Sequence, residues 1–165
     1  MQFLMWLEDS PLSQFILEDA YAHPILLCIH AVGMAIVVGL VLMFCLRVMG
    51  YPKALPLSGF KGLIGLGWAG FALNAASGAV MFASRATSLI VNLDFQLKLA
   101  LIVLGGVSMF VLSKTARAAL EGDDRAQFTP PMKALALFTA LLWIGAIIFG
   151  RYIGYTLQSR LTLGG

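Results

Sequence analysis

The sequence predicts an all-α integral membrane protein: a four-transmembrane-helix bundle with a short amphipathic interfacial segment at its N-terminus. Three observations carry that expectation. Of the 165 residues, 60% are hydrophobic and only 12% are charged, whereas a soluble domain keeps its charged fraction near a quarter. The mean hydropathy is +0.91. Four stretches of about 20 residues, the length that crosses a bilayer, pass almost without a charge. There is too little polar surface here to cover a soluble globule, so lipid must cover the rest.

Residues 1–20 alternate apolar and acidic groups. Phe3, Leu4, Trp6 and Leu7 stand beside Glu8 and Asp9, then Phe15, Ile16 and Leu17 beside Glu18 and Asp19. That pattern suits one or two short helices in the interface, with Trp6 at headgroup depth. A secretory signal is not expected, because the first positive charge is Arg47 and acidic groups interrupt the apolar residues. The bundle is expected over residues 21–157, followed by a tail over 158–165.

The first span covers about 24–47, with Pro24 in a first-turn position where its missing N–H is harmless. The second, about 61–84, is bounded by Lys61 and Arg85. The third, about 95–116, carries Lys98, close enough to its start to snorkel and four residues from Asp94, an ion-pair spacing. The fourth, about 132–157, continues past Arg151. Between them, residues 51–60 hold two prolines and a glycine, and 86–94 form a short polar turn with an Asn92-Leu93-Asp94 helix-start signal. Residues 121–131 carry Gly122, two aspartates and a Pro130-Pro131 stop.

Charge gives the bundle a direction. Arg47, Lys53, Lys61, Lys114, Arg117, Arg125 and Lys133 flank one side; only Arg85, Lys98, Arg151 and Arg160 flank the other. The positive-inside rule then places both termini outside, which in a bacterial inner membrane is the periplasmic face. Glycines and alanines (Gly33, Ala35 and Gly39; Gly62, Gly65, Gly67, Gly70 and Gly78; Gly105 and Gly106) recur where helices should meet, because helices in lipid associate through close backbone packing. They point to a tight bundle and allow a homo-oligomer or a subunit of a membrane complex. Cys28 and Cys45 fall on one helix about 25 Å apart and cannot bridge; both are expected to act as small apolar residues.

Intramembrane polar groups are costly, so they are the default functional candidates. The two histidines, His23 and His30, are seven residues apart and share a helix face, about 10 Å apart along the axis. His23 belongs at the boundary and His30 inside the hydrocarbon, where an imidazole needs an acceptor, a proton path or a metal. One reading makes His30 an axial ligand to haem b iron, assisted by His23; the other makes it a hydrogen-bond donor to a neighbouring helix. The other spans carry no histidine, so the sixth ligand would be Met81, or absent, or supplied by a partner subunit across a symmetric interface. Arg85, Lys98 and Arg151, with Tyr152, Tyr155, Asn74 and Ser77 at similar depth, would suit haem propionates, an acidic headgroup or a quinone carbonyl. The plainer reading of these is snorkelling and an aromatic belt.

No phosphate-binding glycine loop, paired intramembrane carboxylates, catalytic triad or basic-aromatic nucleic-acid signature is present. Catalytic chemistry of the chain's own is therefore not expected. The segment Leu27-Cys28-Ile29-His30-Ala31-Val32-Gly33-Met34, followed by Leu46-Arg47, with Phe95-Gln96-Leu97-Lys98-Leu99-Ala100-Leu101, resembles a family of small bacterial four-helix inner-membrane proteins. More distantly, the layout is similar to CopD-type and cytochrome b561-like bundles. That resemblance implies a bundle able to hold haem or copper, although Ser113-Lys114 stand where a second histidine would be expected. The leading expectation is a haem-b-binding electron-transfer or anchor subunit, possible partners being quinone or a periplasmic redox protein. The alternatives are a cofactor-free accessory subunit of a larger complex, or a small transporter or copper-handling protein. Copper is the weakest, since the eight methionines do not cluster.

Overall fold

The computed structural model describes the chain outside residues 52–58, 123–127 and 164–165, and its side chains also outside 117–122 and 157–163. Among the described residues seven helices follow in order: α1 (Gln2–Glu8), α2 (Pro11–Glu18), α3 (Ala22–Met49), α4 (Gly59–Ala83), α5 (Ala86–Ile90), α6 (Leu93–Gly122) and α7 (Pro130–Leu163). Four of them, α3, α4, α6 and α7, are long and apolar enough to cross a membrane, over Ala22–Met49, Gly59–Ala83, Leu93–Ala116 and Pro130–Thr156. The chain is an all-α, multi-pass membrane protein.

The long helices pack as two hairpins. α3 lies along α4 and α6 along α7, and the hairpins join through α3 against α7. α4 and α6 are thus the outer members, facing each other across a groove. The densest packing gathers at the Arg47 end of α3, where Val41, Phe44, Cys45 and Val48 meet Phe60 of α4, Leu112 and Ala116 of α6, and Ala136 and Ala140 of α7. Phe44 and Phe60 sit edge to face there, with ring centroids 5.4 Å apart. Cys45 is fully buried in that cluster while Cys28 is exposed, and both thiols are free.

Local chemistry sets the helix ends. Gly50 closes α3 with φ 108°, a left-handed conformation open to glycine, and Tyr51 N–H returns to Leu46 C=O at 2.9 Å. Asn92 caps α6, its Oδ1 accepting from Phe95 N–H at 3.1 Å while its Nδ2 donates to Thr156 on α7 at 3.0 Å. The helix-start signal is met there. The expected polar turn over 86–94, however, contains α5, whose Ala86 and Leu89 are buried. Pro130 and Pro131 do not end a helix; they open α7, whose first N–H groups need no intrahelical partner.

The N-terminal segment forms two helices, joined through Ser13 Oγ donating to Leu7 C=O at 2.8 Å. They are tied to the bundle. Glu8 accepts from Thr87 N–H at 2.9 Å and from Thr87 Oγ1 at 2.8 Å, capping α5. Asp19 Oδ1 accepts from Tyr21 and Ala22 N–H, both at 2.8 Å, at the start of α3. Trp6 stays 66% exposed, as an interfacial side chain would be.

Candidate functional site

A close contact between α3 and α4 builds the site. A Cβ placed at Gly33 of α3 would lie 2.7 Å from Asn74 N and 2.9 Å from Gly70 O on α4. One at Gly70 would lie 2.6 Å from Ile36 Cγ2. Only glycine permits this approach. It brings His30 and Asn74 face to face, and each side chain bonds the other's backbone. His30 Nδ1 donates to Asn74 C=O at 3.0 Å, and Asn74 Nδ2 donates to His30 C=O at 2.9 Å.

The carbonyl has only lone pairs, so the proton must sit on Nδ1. Ser77 Oγ lies 3.1 Å from the same nitrogen, with its own proton directed to Leu73 C=O at 2.7 Å. The imidazole edge rests on Gly78, where a Cβ would stand 3.1 Å from Cε1. His30 is therefore locked in one tautomer against α4, and Nε2 makes no hydrogen bond among the described residues.

The other candidates distribute unevenly. Lys98 of α6 lies within electrostatic reach of His30. It does not pair with Asp94; its side chain crosses to α7, where a Cβ at Gly150 would meet Cε and Nζ at 3.3 Å. No carboxylate pairs with it among the described residues. Met34, Asn74, Lys98 and Trp143 line a small cavity of about 30 Å³, room for one water molecule.

His23 sits at the start of α3 with a buried, unpartnered Nδ1 and Arg85 within electrostatic reach. Met81 stands one turn beyond Ser77, half-buried on the helix against which His30 already lies. Arg151 is exposed and stacks over Tyr155, 5.6 Å from the ring centroid, and Tyr152 is 54% exposed. The structure thus gathers His30, Asn74, Ser77 and Lys98, sets His23 with Arg85 near the helix ends, and leaves Arg151 and Tyr152 on the outer surface of α7.

Two features escaped the sequence reading. The Asn74 amide is the reciprocal partner of His30, signalled by Gly70, Asn74 and Gly78 recurring every four residues. Trp143 reaches the bundle interior, its buried Nε1 unpartnered against Gly105, where a Cβ would lie 3.0 Å away. No group of three His, Cys, Asp or Glu side chains that could hold a metal occurs among the described residues. What the arrangement offers chemically is one oriented imidazole lone pair and one uncompensated ammonium. No protein-family model, curated protein or solved structure matches this chain.

Proposed function

We propose that the chain is a non-catalytic membrane subunit, an anchor or accessory element of a larger membrane assembly, whose intramembrane polar groups fasten its own helices. The reciprocal His30–Asn74 pair carries the structural, non-catalytic part of this reading. It gives the one histidine deep in a span an acceptor and a structural purpose, at the point where Gly33 and Gly70 let the backbones touch. The charge asymmetry supports both termini lying on the side away from the cytoplasm, which in a bacterial inner membrane is the periplasmic side.

A second reading, haem b on His30, rests on a specific observation. An imidazole whose Nδ1–H donates to a backbone carbonyl presents Nε2 in the orientation typical of metal-bound histidine, and Lys98 nearby would suit a propionate. His30 is the residue that would hold the iron, through Nε2. Met81 shares the helix that holds the Nδ1 side, so the opposite ligand would come from a partner subunit.

Two measurements separate the readings. Cross-linking in native membranes followed by native electrophoresis is expected to place the chain in a species larger than the monomer; a strictly monomeric chain would sink the subunit reading. The visible spectrum of the purified protein is expected to show no Soret band. A band that vanishes in His30→Ala would establish the haem reading instead.

A further inference from the structure

The groove between α4 and α6 is an apolar cavity of about 740 Å³ with cations at one end. Val41 and Phe44 of α3 and Trp143 of α7 line its floor. Trp68 and Phe71 of α4 form one wall, Val107 and Phe110 of α6 the other. Along α4 it runs from Phe60 to Phe71, about 16 Å at the helical rise. No acidic residue lines it among the described residues. Lys61 lines its mouth, and Lys114 sits beside that end, its Nζ 4.8 Å from the centre of the Phe110 ring.

We propose that this groove seats an acyl chain of an anionic phospholipid, with the lipid phosphate held between Lys61 and Lys114. Size suits a lipid chain: the cavity volume of about 740 Å³ falls in the usual range of about 300–1,000 Å³ for small-molecule pockets.

Charge argues for the headgroup. Two lysines, with no acidic neighbour on the groove wall among the described residues, complement a phosphate, and they lie on the side that the cation count assigns to the cytoplasm. There anionic lipid gives the membrane its negative surface potential. The aromatic and branched walls suit a flexible hydrocarbon chain, which neither needs nor supplies hydrogen bonds.

The test is lipid retention by the full-length protein. Purified protein is exchanged into vesicles of phosphatidylglycerol or phosphatidylcholine, and bound lipid is counted by native mass spectrometry after re-extraction. One retained phosphatidylglycerol is expected, preferred over phosphatidylcholine roughly tenfold or more, with the preference falling as salt rises. The double variant Lys61→Gln, Lys114→Gln is expected to lose the preference without losing the fold.

Gly106 lines the groove, and a Cβ there meets nothing within 4 Å. Gly106→Phe is expected to fill the groove and expel both lipids; if it fails to fold, Val107→Trp fills the same space from an exposed position. Equal retention of the two lipids by the wild type would overturn the proposal. So would a lipid count unchanged by filling the groove. Disulfide trapping of Gly106→Cys dimers would assign the groove to a second copy and overturn it equally.

Discussion

Replacing His30 with alanine takes away one member of the reciprocal His30–Asn74 pair between α3 and α4, and it leaves Asn74 C=O facing a void. Interhelical hydrogen bonds in membranes contribute modestly, about 0.6 kcal/mol on average and up to about 1.7. His30→Ala and Asn74→Ala should each lower stability in detergent by about that much. Because the two bonds share one contact, the double variant should lose less than the sum of the singles; strictly additive losses would mean that the pair does not act as a unit. Gly33→Ala is the harsher change. Its Cβ meets backbone atoms that cannot rotate away, so the helices must part, at a cost on the order of 1–3 kcal/mol. Gly62→Ala, where a Cβ meets nothing within 4 Å, should change the unfolding midpoint little, and the contrast checks where the contact lies. His30 and Lys98 were legible as candidates because polarity inside a span is visible in any sequence. Their partners were not, since the rotation of α4 about its axis decides whether Asn74 or Met81 meets the imidazole.

Among the elements, the spans were legible to within a few residues, because charge-free length and flanking lysines mark them directly. The Asn92 cap was legible too, as a short polar side chain just before an apolar run. Pro130-Pro131 was ambiguous in principle: proline is excluded from helix interiors but welcome in a first turn, so its meaning depends on which side the helix lies. The cap on α5 was hidden, because Glu8 and Thr87 are 79 residues apart. Glu8→Gln keeps an acceptor but removes the charge that favours a helix N-terminus; Glu8→Ala removes both. Amide hydrogen exchange across α5 is expected to rise modestly in the first variant and more in the second, with a stability loss of about 0.5–2 kcal/mol for alanine. Unchanged exchange at Thr87 in both would show that the cap is not occupied in the membrane.

For the whole molecule, four crossings place both ends of the chain on one side. Cysteines introduced at Ser10 and Ser88 should share a labelling pattern with a membrane-impermeant maleimide, and cysteines at Tyr51 and Lys133 should show the opposite one. The native cysteines need replacing first, Cys45→Ala costing more than Cys28→Ala because Cys45 is fully buried. Any mixed pattern would contradict the two-hairpin arrangement. Hydropathy foretold the four spans but not their neighbours. The order α4, α3, α7, α6 is set by which faces meet, with glycines at the α3–α4 contact (Gly33, Gly70) and the α6–α7 contact (Gly105, Gly145), and that leaves α4 and α6 apart.

The bond between Glu8 and Thr87 also has a place in time. During synthesis α1 is made before its partner, which lies beyond two complete membrane crossings. Until α4 has been inserted and the chain has turned back, nothing exists for Glu8 to hold. α1 is therefore fastened only after α3 and α4 are in place, and its docking reports that this hairpin has been threaded.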